Sequence, residues 1–232
     1  VGSSWACGNH HCETTSWPNR QREVALLSGG NEVRQPRRRG RIQRSARRPR
    51  RTATGRRSVL TADIFRHQGG VLTVDLDAIV ENWHTLSTIT APSSCGAVVK
   101  ADGYGLGLAK VGSALSKTGC TRFFVATIDE GITLRRSIGA GSKIYVLNVT
   151  MVGDAAAELD DHDLTPVLNS PFDIAVWGTH CRSFGGGRAI LALDTGMQRL
   201  GLSPSEAQDL AGATDRLDGV TIDYVMSHLA CA

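Results

Sequence analysis

Three polar residues stand where short apolar runs stop, and their side chains suit parts of one chemistry. Lys100 ends the run Cys95-Gly96-Ala97-Val98-Val99 and leads into Ala101-Asp102-Gly103-Tyr104-Gly105-Leu106-Gly107. A cation is costly to bury at such a place, and the neutral amine is the form that condenses with an aldehyde. Spacing alone favours a surface lysine at a strand end. Arg199 lies in Asp194-Thr195-Gly196-Met197-Gln198-Arg199-Leu200-Gly201, directly after an apolar run. Its guanidinium can hold a phenolate or carboxylate by charge-assisted hydrogen bonds, or lie free in a loop. His228 closes the run Val220 to Ser227. An imidazole there can stack on a flat aromatic group or relay a proton, or be a satisfied core histidine.

For these three to meet, the runs before them must be strands that end on one side. The pattern from Val71 onward supports this. Val71 to Leu76 reads as a short strand, with Asp77 capping a helix from Ala78 to about Ile89. Further apolar runs follow at Cys95–Lys100, Phe123–Thr127, Lys143–Asn148, Leu164–Asn169, Arg188–Leu193 and Val220–Ser227. Helical spacing separates them: Leu108 to about Lys117, Asp129 to about Ile138, Asp154 to Leu159, a helix capped by Ser170 with Pro171 first, and Ser203 to about Ala213. Short apolar strands alternating with helices indicate a parallel sheet in an α/β fold, either open and doubly wound or closed as an eight-stranded barrel. Gly103-Tyr104-Gly105-Leu106-Gly107 lacks the spacing of a dinucleotide-binding turn. In a barrel, residues at the carboxyl ends of strands face one mouth, which would bring Lys100, Arg199 and His228 together.

The 232 residues carry a formal charge of +4 that divides unevenly. Residues 1–70 are net +11 and residues 71–232 net −7. Twelve Arg, two Pro and no acid lie between Arg34 and Arg57, so residues 1–68 read as a disordered basic extension. That run could hold phosphates or serve as an organellar leader, but no aromatic is interleaved for base stacking. A nucleic-acid partner is therefore not favoured, and the preferred reading is an upstream extension without a fold. Cys7, His10, His11 and Cys12 make only half of a zinc site, so no metal is expected. Of the six cysteines, Cys95, Cys120, Cys181 and Cys231 fall singly, not at framework spacing, and read as free thiols of a cytoplasmic protein. No run of about 18 apolar residues occurs, so no membrane partner is expected.

Val98-Val99-Lys100-Ala101-Asp102-Gly103-Tyr104-Gly105-Leu106-Gly107 resembles the pyridoxal-phosphate attachment motif of the alanine racemases. Leu193 to Gly201 resembles their second signature and Tyr224-Val225-Met226-Ser227-His228-Leu229-Ala230 their third. Val125-Ala126-Thr127-Ile128-Asp129-Glu130-Gly131 fits a further strand-to-helix region of the family less sharply. The resemblance implies an incomplete (β/α)8 TIM-type barrel over residues 69–232, with about six of the eight strands. It implies pyridoxal 5'-phosphate as cofactor and interconversion of L- and D-alanine, with D-alanine supplied for peptidoglycan. Lys100 would hold the cofactor covalently and act as one of two catalytic bases. Tyr104 would contact the phosphate, Arg199 the phenolic oxygen, and His228 would pack on the ring.

The family's second base is a tyrosine of a C-terminal β domain that reaches across a homodimer interface. That domain and two strands would follow Ala232, so a chain ending there is expected to be unstable and inactive alone, its open sheet edges unpaired. In many members a lysine stands seven residues before the motif arginine, where this chain has Ala192. Other readings are a broad-specificity amino-acid racemase, a basic amino-acid decarboxylase and a non-catalytic pyridoxal-phosphate-binding regulator.

Overall fold

The computed structural model describes residues 24–25 and 72–230. The Arg-rich run and the Cys7 to Cys12 cluster lie outside them. Within the stretch expected to carry no element, β1 (Val24–Ala25) pairs in parallel with β2 (Ser94–Cys95).

The first long element corrects the expectation for Val71 to Leu76. Residues 72–75 form no strand, and helix α1 (Leu76–Ile89) begins with Asp75 as its cap, accepting from the Ala78 amide at 3.1 Å. Leu76, Ile79, Val80 and Trp83 recur at helical spacing and pack on the core. Leu76 therefore belongs to a helical stripe and not to a strand.

Six strands then form one sheet in sequential order, all parallel: β3 (Ala97–Val98), β4 (Arg122–Val125), β5 (Lys143–Val146), β6 (Leu164–Leu168), β7 (Gly187–Leu193) and β8 (Val220–Ser227). The single run expected from Cys95 to Lys100 is divided into β2 and β3 at Gly96, where a side chain would come within 2.9 Å of the Phe124 ring. Between the strands run α3 (Leu108–Lys117), α4 (Ile128–Ile138), α5 (Ala155–Asp161), α6 (Pro171–Phe184) and α7 (Pro204–Gly212). Ser170 caps α6 ahead of Pro171, and Ser203 with Glu206 forms a capping box on α7.

Side-chain alternation divides the sheet into two faces. Phe123, Val125, Ile144, Val146, Ala189 and Leu191 join a cluster that also contains Leu108, Val111, Leu134, Leu159, Ile174 and Leu210 from the helices. Their alternates Phe124, Tyr145, Val167, Ile190 and Ala192 form a second cluster without any helical residue. All the helices thus pack on one face, which excludes a doubly wound sheet and is the arrangement of a barrel. The sheet is also curled. Arg122 of β4 donates through Nε to the Tyr224 hydroxyl of β8 at 3.0 Å, and Tyr145 meets Tyr224 edge-on at 6.0 Å between ring centres. In a flat sheet β4 and β8 would be about 19 Å apart, beyond the joint reach of these side chains.

One irregularity decides which way β8 presents its end. Ala189 pairs with Ile222 but Ile190 with Tyr224, so Asp223 is the extra residue of a bulge. Beyond it the side-chain parity inverts, and Tyr224 and Met226 join the inner cluster. The Asp223 carboxylate, 2% exposed, pairs with Lys143 at 3.2 Å and with Arg188, and lies 3.5 Å from the Tyr145 hydroxyl.

Candidate functional site

A cleft opens at the carboxyl ends of the strands. Leu147, Val167, Ala192 and Met226 line it, continuing the inner cluster. Lys100, Asn169, Arg199, Ser227 and His228 supply its polar groups. It encloses about 520 Å³ of empty space, its open mouth included. No Asp or Glu is among its described lining residues. The structure therefore brings together three of the four residues singled out from the sequence. The fourth, Tyr104, is half exposed and does not line the cleft.

Lys100 lies just past β3, where the Val99 amide adds one more bond to the sheet, to Phe124 O at 2.9 Å. It opens a short turn, α2 (Lys100–Tyr104), of unusual hand. Ala101, Asp102, Gly103 and Tyr104 have φ of 53°, 52°, 63° and 55°. Left-handed backbone costs about 1–2 kcal/mol for each residue other than glycine, so the turn must be held by its surroundings. The Gly103 amide bonds Val99 O and the Gly105 amide bonds Ala101 O, each at 2.9 Å. Asp102 Oδ1 accepts from the Leu108 amide at 2.8 Å and so caps α3, whose preceding residue Gly107 has no side chain to do it. Tyr104 ends the turn in the same left-handed conformation, half exposed, a geometry that residue spacing does not encode.

Arg199 is carried by the loop after β7. The loop closes where the Asp194 amide bonds Leu202 O at 2.9 Å and the Leu202 amide bonds Ala192 O at 2.8 Å. Gly201, at φ 107°, permits that closure; a Cβ there would come within 2.8 Å of Asp194 N. Asp194 Oδ1 accepts from the amides of Gly196 at 2.9 Å and Gln198 at 3.0 Å. These bonds, with the Gln198 amide contributing most, hold its carboxyl below its ordinary 3.8. Thr195 and Ser227 share a hydrogen bond that ties the loop to β8.

His228 follows Ser227 at the end of β8. Its Nδ1 is 3.0 Å from Leu229 O, and a carbonyl only accepts, so Nδ1 is the donor of that bond. Asn169 escaped the sequence reading. Its amide nitrogen donates to Leu147 O at 2.9 Å and Val167 O at 3.0 Å, which fixes it between β5 and β6. A polar residue directly after an apolar strand was the available signal, the same one that marked Lys100.

The site offers an amine, a guanidinium and an imidazole around an apolar floor. Residues 74–232 match the family model described as alanine racemase, N-terminal domain. The chain is 46% identical over 165 residues to a catabolic alanine racemase of Mesorhizobium japonicum, covering 71% of this chain and 43% of that protein. It is 50% identical over 163 residues to an alanine racemase of Cereibacter sphaeroides, covering 69% and 44%. The fold matches the crystal structure of an alanine racemase from Bartonella henselae with covalently bound pyridoxal phosphate, at a TM-score of 0.65 and 39% identity over 68% of this chain and 46% of that one. A histidine racemase from Leuconostoc mesenteroides matches at a TM-score of 0.59 and 25% identity, over 67% and 42%. The chain thus spans less than half the length of these relatives.

Proposed function

Because the chain belongs to the family of alanine racemase N-terminal domains, we propose that it supplies the cofactor-holding barrel, residues 69–232, of a pyridoxal-phosphate-dependent alanine racemase. The observation that carries this is the convergence of Lys100, Arg199 and His228 on one apolar-floored cleft whose described lining contains no carboxylate. That donor set fits the cofactor. An aldehyde needs an amine, a phenolic oxygen a cationic donor, and an aromatic ring a flat neighbour. When bound, pyridoxal phosphate withdraws electrons from the substrate α-carbon and makes its proton removable.

In this reading Lys100 Nζ attaches the cofactor and carries a proton to or from the α-carbon on one face. Arg199 donates to the phenolic oxygen, held in place by the loop that Asp194 and Gly201 close. His228 packs on the ring, and Tyr104, at the far end of the Lys100 turn, contacts the phosphate. Racemisation needs a second proton-carrying group on the opposite face, and the resemblance assigns it to a tyrosine of a second subunit. A homodimer is therefore part of the proposal, as are a cytoplasmic site of action and the supply of D-alanine for peptidoglycan. No helix among the described residues is long and apolar enough to cross a membrane. The match to a histidine racemase keeps a different amino-acid substrate as the second reading.

The test loads the protein with pyridoxal phosphate, reduces with borohydride and maps the label by mass spectrometry. Pyridoxyl is expected on Lys100 and absent from Lys100→Ala. Label on another residue, or none on folded protein, overturns the assignment. Exchange of the alanine α-proton in D2O, compared with histidine, then separates the two substrate readings.

A further inference from the structure

The Val125 to Gly131 segment contains a carboxylate whose reach the functional reading leaves unexplained. Glu130 stands in the first turn of α4, whose cap is Thr127. Glu206 stands at the same position of α7, and there the side chain stays local, accepting from the Ser203 amide at 2.8 Å. Glu130 does something different. Its Oε2 accepts from the Ala126 amide, at the end of β4, at 2.8 Å, and its Oε1 accepts from the Asp102 amide at 3.1 Å. Asp102 is 28 residues away and lies in the left-handed turn that Lys100 opens.

The Asp102 amide needs this partner. The Gly103 amide already takes Val99 O, so the next carbonyl back for Asp102 would be Val98 O, in β3. At the start of a turn such an N–H has no partner within its own element. One carboxylate thus satisfies two amides that belong to neighbouring strand ends, and it does so two residues from the amine.

We infer that Glu130 is a positioning residue for Lys100, acting by clipping the strained turn after β3 to the end of β4. The clip holds the amine toward the cleft and leaves the rest of the cleft as it is. This rests on the reading of Lys100 as the attachment point. The experiment uses the full chain and measures pyridoxal-phosphate affinity in two backgrounds, one with Lys100 and one carrying Lys100→Ala, where no covalent link forms. Glu130→Gln keeps the size and sets an NH2 donor where an oxygen accepted. Glu130→Asp keeps the charge and the helix cap but is one methylene too short to span both amides, and serves if the glutamine variant does not fold. With Lys100 present, either change is expected to weaken the cofactor about tenfold and to reduce the visible absorbance of the lysine-linked form. In the Lys100→Ala background the affinity is expected to change less than about twofold. Equal weakening in both backgrounds, or none in either, overturns the positioning role and leaves the functional reading standing. Absence of a Lys100 adduct in the unaltered protein overturns that reading, and the positioning role with it.

Discussion

Asp194 and Gly201 shape the loop that carries Arg199, although neither lines the cleft. The Asp194 carboxyl is held below 3.8 by amide hydrogen bonds, first from Gln198 and then from Gly196. A depressed carboxyl stabilises the fold above its unfolded value, and that contribution is lost as pH falls through the lower folded value. The loop should therefore keep its form from neutral pH down to about 4 and loosen only below 3.8. A carbon-13 titration is expected to give Asp194 a midpoint below that value, with the Gly196 and Gln198 amide shifts moving at the same pH. Gly201→Ala places a methyl 2.8 Å from Asp194 N at a φ of 107°. It should cost about 1–3 kcal/mol in urea unfolding and loosen cofactor binding.

At the scale of elements, the β8 bulge decides which residues the strand shows to the barrel interior. Without an extra residue at Asp223, Ile190 would pair with Asp223, and Tyr224 and Met226 would turn outward. The ion pairs around it are unequal in burial. The Asp223 side chain is 2% exposed, whereas those of Lys143 and Arg188 are 47% and 55% exposed. Removing the acid leaves two cations that can reach water. Removing both cations leaves a buried carboxylate whose remaining hydrogen-bond partner among the described residues is the Tyr145 hydroxyl. Urea unfolding should therefore find Asp223→Asn destabilising by about 1–2 kcal/mol. The Lys143→Met, Arg188→Met double variant should cost about 3–5 kcal/mol. The reverse order would remove the argument that Asp223 is the partner that needs the others. The same scale explains an error of sequence reading. Val71 to Val74 is rich in residues that favour strands, yet Asp75 starts a helix because Leu76, Ile79, Val80 and Trp83 together offer a stripe to the core.

Across the molecule, one curled sheet separates an outer core against the helices from an inner core of strand residues. Cys120 and Cys181 lie in the outer core, 1% and 0% exposed, and burial pushes each thiol up to about 11. A thiol needs both access and deprotonation to react. At pH 8, labelling mapped by mass spectrometry should reach these two only at the rate of global unfolding. Fast labelling of either in the folded protein would contradict the packing. The central strands β4 to β7 were legible because they are buried on both faces and so read as continuous apolar runs. Lys100, Arg199 and His228 were legible as polar residues ending such runs, and Asn169 could have been found by the same rule. Local side-chain pattern found the later strands and helices and the caps at Ser170 and Ser203, which neighbours along the chain decide, but it failed over Val71 to Asp77. The single-sided placement of the helices, the parity switch at Asp223, the left-handed turn from Ala101 to Tyr104 and the reach of Glu130 to Asp102 were decided by tertiary structure. Each depends on residues far apart in sequence being packed against one another, and no spacing along the chain records that contact.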